Sequence, residues 1–226
     1  YRQIIDGPFR IDAGTRLAVL AANQGRVAEG RERLAQLRVV APDRAVDLYL
    51  AEAELLRKHG TPEEVRQLYD AAVKAHPDDV ELLYSRALLA AEQGRVADAE
   101  AGFKRVLQKE PDHADALNAL GYTLADLTDR HKEALGYITR ALQLTPASPA
   151  FLDSMGWVQY RMGNYAVALD YLRRAFARLK DGEVAAHLGE VLWVTGEREE
   201  AQRVWKEGQE KDPDNAVLRA TLQRFR

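Results

Sequence analysis

The sequence contains no cysteine, which excludes a disulfide framework, a Cys-based zinc site and thiol catalysis. It has no apolar run near the roughly 18 residues that a membrane span needs. No stretch alternates with period two for long enough to form a strand, so an all-helical chain is expected. Charge of one sign is also lacking. Lys and Arg total 32, Asp and Glu total 35, and the formal net charge is −3. Divided at His113, the first part carries 17 basic and 19 acidic residues and the second 15 and 16, so neither half would draw nucleic acid or an anionic membrane. The 226 residues correspond to one or two domains, and 46% apolar content is enough for a sizeable core.

Catalytic and metal-binding patterns are equally scarce. Among His59, His76, His113, His131 and His187, no two stand three or four residues apart, and no His-Glu-x-x-His is present. His59, His76, His113 and His131 fall where helix ends and turns are expected and read as solvated or capping residues. Ser85 and Ser154 lack a neighbouring His and the Gly-x-Ser-x-Gly elbow. The glycines form neither a dinucleotide fingerprint nor a P-loop. Acidic pairs such as Asp78-Asp79 and Glu199-Glu200 sit at helix starts, where negative charge favours the dipole. No cofactor, metal site or enzymatic activity is expected.

What the sequence does have is a period. Pro8, Pro42, Pro77, Pro111 and Pro146 are spaced 34, 35, 34 and 35 residues apart, and Pro213 follows 67 later. In phase with them, Ala18, Ala53, Ala87, Gly121, Gly156 and Gly189 are spaced 35, 34, 34, 35 and 33. Gly25, Gly60, Gly94, Gly163 and Gly196 mark turns, where glycine can adopt positive φ at a helix end. Leu127 to His131 supplies the missing turn without a glycine. Small residues mark close helix crossings, and Pro ends a helix. Thr61-Pro62-Glu63-Glu64 reads as a capping box, and Ser148-Pro149 as another helix start.

These ladders resemble the tetratricopeptide repeat, a pair of antiparallel helices in about 34 residues. The resemblance implies an all-α solenoid, a right-handed superhelix of helix pairs. Its repeats would span 11–45, 46–79, 80–113, 114–148, 149–181 and 182–215, and residues 216–226 would form a capping helix. Residues 1–10 would be the end of a preceding repeat in a longer array, because Pro8 stands one period before Pro42. Repeat 80–113 fits best, with Leu83, Ala87, Gly94, Ala99, Phe103 and Pro111. Gly30 and Val65 depart from the family's Ala early in the second helix, Gly208 from a later Ala, and Lys180 from a Pro. Tyr69, Phe103, Leu172 and Trp205 fall at a core position of the second helix.

The family binds extended polypeptide along its first helices. Transferred to this chain, the groove positions give Tyr84, Asn118, Tyr122, Asp153, Trp157, Tyr160, Arg161, Glu190 and Trp193. Aromatic residues there are candidate anchors, above all Trp157 and Trp193. Asn118 is a candidate partner for a peptide backbone. The groove leans acidic, with Arg57, Lys58 and Arg161 as exceptions, so the basic clamp for chaperone C-terminal tails is not expected. The stretches 117–126, 153–165 and 187–193 are also similar to the C-terminal repeats of tetratricopeptide lipoproteins of the Gram-negative outer membrane. That narrower resemblance implies an adaptor joining a periplasmic carboxyl-terminal processing protease to protein substrates, notably peptidoglycan hydrolases. Membrane attachment would run through a lipid anchor upstream, and neither nucleic acid nor a small-molecule substrate is implied. Pilus or cytochrome-maturation scaffolds, or a purely structural spacer segment, are the alternatives.

Overall fold

A computed structural model describes residues 9–225. Tyr1 to Gly7 and Pro8, assigned above to a preceding repeat, lie outside the described residues, as does Arg226. The described residues contain thirteen α-helices and one short 3-10 turn, with no strand. The helices are α1 Arg10–Asn23, α2 Val27–Val40, α3 Ala45–His59, α4 Pro62–Ala75, α5 Val80–Glu92, α6 Val96–Lys109 and α7 Ala114–Leu127. They continue as α8 His131–Leu144, α9 Pro149–Arg161, α10 Tyr165–Phe176, α11 Gly182–Val194, α12 Arg198–Lys211 and α13 Ala216–Arg224. The described residues form an all-α array of successive helix pairs, divided into two compact units with the boundary in sequence between Leu89 and Ala90.

Each unit follows the same packing logic. The second helix of a pair buries one stripe, as in α6, where Ala99, Phe103 and Val106 recur at helical spacing and are all fully buried. In the second unit the first helices are buried nearly all round. Residues Phe151 to Val158 of α9 are buried without a break, as are Val184 to Leu192 of α11. That burial encloses the polar residues of these helices, which must then find partners. The expected core residues Tyr69, Phe103, Leu172 and Trp205 are 3%, 0%, 0% and 4% exposed.

The small-residue ladder marks close helix approaches. A Cβ added at Gly121 would stand 2.5 Å from Ile138, one at Gly156 2.5 Å from Leu172, and one at Gly189 2.0 Å from Trp205. Each obstructing side chain lies on the partner helix of the same pair. Gly30 is explained in the same way. Its Cβ would meet the Ala18 carbonyl oxygen at 2.6 Å, a backbone atom that cannot rotate away. Restoring the family residue with Gly30→Ala should therefore lower stability by about 1–3 kcal/mol despite alanine's better helix propensity. Thermal or urea unfolding checks this.

The turns agree with expectation at Gly25, Gly94, Gly163 and Gly196, whose φ values are 81, 68, 82 and 93°. Gly60 does not, because its φ is −109°. The following Thr61-Pro62 draws the chain into extended backbone, and α4 starts on the expected capping box: Thr61 Oγ1 accepts from the Glu64 N–H at 3.3 Å, and Thr61 N–H donates to Glu64 Oε2 at 2.9 Å. Lack of a side chain still serves Gly60, since a Cβ would meet Leu56 at 2.8 Å. Ser148 and Asp181 cap α9 and α11. At Lys180, α10 has already ended at Phe176 without proline, and Lys180 pairs with Glu207 instead.

Ion pairs tie neighbouring helices together. Glu100 on α6 receives Arg130 through two hydrogen bonds of 2.7 and 2.9 Å and also Lys104 at 2.6 Å. The Arg130 and then the Lys104 hydrogen bonds hold its carboxyl down at about 2, against an ordinary 4.5. A depressed carboxyl contributes stability that is present above its ordinary pKa and lost as pH falls through the folded value. Stability should therefore decline from about pH 4.5 toward 2, and Glu100→Gln should flatten that decline in acid unfolding curves.

Candidate protein-binding face

The sequence places Asn118 and Tyr122 on α7, Asp153, Trp157, Tyr160 and Arg161 on α9, and Glu190 and Trp193 on α11, all in the second unit. Tyr84 lies on α5 in the first unit and is partly buried. Because successive first helices lie side by side, residues one period apart come together.

The centre of this face is a residue to which the sequence assigned no role. His187 on α11 is buried, and its Nδ1 lies 2.8 Å from Asp153 Oδ2, one repeat earlier. Its Nε2 lies 3.4 Å from the Tyr122 hydroxyl, and its ring stacks on Trp157 with centroids 4.2 Å apart and planes 24° apart. Glu183 is close enough for its charge to act on both Tyr122 and His187. A chain of polar groups thus runs from Asp153 through His187 and Tyr122 to Glu183. Burial alone pulls the His187 pKa down, but the charge and hydrogen bond of Asp153, with Glu183 and Asp126 behind them, raise it overall. Burial raises Glu183, and burial followed by the surrounding carboxylates pushes Tyr122 up.

Trp157 was expected to stand open as an anchor. It is 7% exposed instead, because its indole N–H donates to Asp126 Oδ1 at 3.0 Å, its ring stacks on His187, and Tyr160 packs against it at 5.2 Å. Tyr160 therefore presents more surface than Trp157. Its hydroxyl donates to Glu190 at 3.0 Å and is pushed up to about 12, first by burial and then by the Glu190 charge. Arg161 donates to the Asp126 carbonyl at 2.8 Å. Glu190 is buried and also pairs with Arg224 from α13. Trp193 is partly exposed and gathers with Trp205 at 5.5 Å and Phe225 at 6.1 Å, with Arg198 over its ring at 5.1 Å. Asn118 is partly buried, and its Oδ1 has no hydrogen-bond partner.

The other histidines are peripheral. His113 caps α7 by accepting the Ala116 N–H at 3.2 Å, and His59 and His131 stand at helix ends. His131 departs from a solvated reading, since its Nε2 is buried and unpartnered. Among the described residues no three His, Asp or Glu side chains are grouped to hold a metal ion, and no helix is long and apolar enough to cross a membrane. The face can thus offer hydrogen bonds, carboxylates and aromatic edges to another molecule.

The tetratricopeptide repeat family profile matches residues 15–80, 50–109, 84–149 and 154–216. A TPR repeat-containing protein of Pseudomonas aeruginosa is 45% identical over 84% of this chain. The chain spans 32% of that relative's length. Among solved structures, a tetratricopeptide repeat protein from Parabacteroides merdae superposes with a TM-score of 0.74 at 16% identity, covering 95% of this chain and 84% of the other. PilW, a type IV pilus biogenesis factor, superposes with a TM-score of 0.70 at 17% identity, covering 94% and 98%. At such identities these two show a shared fold. With the repeat profile covering the chain nearly end to end, this protein belongs to the tetratricopeptide repeat family.

Proposed function

We propose that this chain is a non-enzymatic scaffold whose second unit binds a segment of a partner protein along α7, α9 and α11. The observation that carries this reading is the row of groups on these three helices, from Asn118 and Tyr122 through Asp153, Trp157, Tyr160 and Arg161 to Glu190 and Trp193. Solubility does not require such a row. Aromatic residues at its partly exposed rim supply contact area, and polar groups beneath them supply direction. Tyr84 is a separate candidate in the first unit. The finer reading is an adaptor on the periplasmic side of the outer membrane, held there by a lipid anchor upstream. It brings a carboxyl-terminal processing protease together with substrates such as peptidoglycan hydrolases. The resemblance of stretches 117–126, 153–165 and 187–193 supports this assignment, and tethering two clients to one scaffold raises their effective concentration without new chemistry. A pilus-assembly scaffold is the alternative. PilW is similar in fold, at an identity that carries no function.

The test is calorimetric titration of the full chain with the purified protease, and separately with a cross-link hydrolase. Saturable binding of both, and faster hydrolase degradation when all three are mixed, is the expected result. Binding of neither removes the adaptor reading.

A further inference from the structure

The carboxylates on α7, α9 and α11 differ in whether a basic side chain meets them. Asp126 faces Arg161, Asp153 faces His187, and Glu190 faces Arg224. Among the described residues Glu183 has no basic side chain at ion-pair distance, and the charge of His187 reaches it against that of Asp153. Asp153 is only 5% exposed, yet its Oδ1 has no hydrogen-bond partner. A buried carboxylate oxygen without a donor costs free energy unless something supplies one. Nothing on neighbouring helices supplies it here: one oxygen of Asp153 binds His187, and the other is left over.

The molecule shows what kind of group satisfies such a carboxylate. On the same helix as Glu183 and two turns further along, Glu190 is met by the guanidinium of Arg224, which α13 reaches across to deliver. Glu190 holds Tyr160 with its other oxygen, and the Glu183 charge likewise acts on Tyr122. The two sites repeat one pattern, a glutamate on α11 beside a tyrosine from an earlier first helix, and one of them has its cation from within the chain.

We propose that the site formed by Asp153, Glu183 and Tyr122 receives an arginine or lysine side chain from the bound partner, as Glu190 receives Arg224. Tyr122 and Glu183 are partly exposed, and Asp153 is buried. The Tyr122–His187 contact of 3.4 Å is long for a hydrogen bond, so the hydroxyl can shift to admit a cation at little cost. The Asp153 oxygen left over and the Glu183 carboxylate then accept the N–H groups of the incoming side chain. Asn118, at the same repeat position as Asp153 one repeat earlier, likewise has a buried Oδ1 without a partner. This inference rests on the scaffold reading and names the partner chemistry it requires: an extended segment carrying a basic residue.

The test is a nuclear magnetic resonance titration of the full chain with two acetylated, amidated pentapeptides, Ala-Ala-Arg-Ala-Ala and the same peptide with neutral citrulline. The Trp157 indole N–H, stacked on His187, is the reporter. The arginine peptide should shift this signal saturably and bind at least about tenfold more tightly than the citrulline peptide, the size expected for a charge-assisted hydrogen bond. Glu183→Gln, which keeps the side chain's shape, should abolish the difference while leaving the thermal midpoint near that of the parent. Equal shifts by both peptides, or an arginine preference untouched by Glu183→Gln, overturns the cation site. Free arginine amide serves as a third arm. If it binds as tightly as the peptide, the site takes a small cation and the peptide proposal fails. Protease binding that is saturable in calorimetry but unaffected by Glu183→Gln sinks this inference alone, whereas no protease binding at all counts against the scaffold reading.

Discussion

His187→Leu should destabilise the protein by about 3–5 kcal/mol, because it strips the buried Asp153 carboxylate of its counter-charge while leaving the charge in place. The histidine and aspartate side chains are 3% and 7% exposed, so water cannot substitute. Replacing both, in Asp153→Leu/His187→Leu, should recover much of the loss, since an apolar pair of similar volume needs neither desolvation nor partners. Urea unfolding of the two singles and the double gives the coupling directly. Independent losses that simply add would show that the pair is not an energetic unit. The pH dependence follows from the same geometry. His187 is raised in the fold, so its contribution is complete below the ordinary histidine range near 6.5 and is lost as pH rises through the folded value. Glu183, also raised, acts in the same direction at lower pH. The groups facing His187 are Asp153, Glu183, Asp126 and Tyr122. Stability should fall as pH rises above the ordinary histidine value of 6.5 in the parent and should not do so in His187→Leu.

A comparable loss, about 3–5 kcal/mol, is expected for Trp205→Ala. Trp205 is 4% exposed, stacks on Phe225 at 5.8 Å, touches Trp193, and fills the space that Gly189 leaves by having no side chain. Gly189→Ala alone should cost about 1–3 kcal/mol, because its Cβ would stand 2.0 Å from the Trp205 Nε1. In the double variant the new methyl enters the cavity left by the indole. The double should therefore be more stable than the sum of the singles predicts, by more than the few tenths of a kcal/mol that independent sites show. Thermal unfolding at matched concentration measures it. Simple additivity would mean that Gly189 and Trp205 do not share one space.

The repeat itself was legible because each ladder has a single physical cause. Proline interrupts helices, small residues permit close crossings, and both recur with the helix pair. The capping box at Thr61 was legible because it is local. Gly60 shows where local reasoning ends: the turn rule for glycine was overridden by the proline two residues on. Gly30, a departure from the family pattern, became intelligible only when the Ala18 carbonyl was seen beneath it.

The site was half legible. Position within the repeat placed Asp153, Tyr160 and Glu190 on the first-helix face. His187 was left without a role because the search used spacings of three and four, which detect neighbours within one helix. Asp153 and His187 are 34 residues apart, one period, and that spacing detects neighbours across helices in a solenoid. Trp157 stands at a groove position, but the direction of an indole depends on what packs against it. Asp126 and His187 draw it inward, and no pattern within α9 reveals either.

The most direct test of the central claim is amide hydrogen exchange of the full chain with and without the partner proposed above, a carboxyl-terminal processing protease. Partner-dependent protection should concentrate in α7, α9 and α11, around Tyr122, Asp153 and Glu183, with α8, α10 and α12 little changed. Protection confined to those second helices, or none at saturating partner, would contradict the assignment of this face as the binding surface.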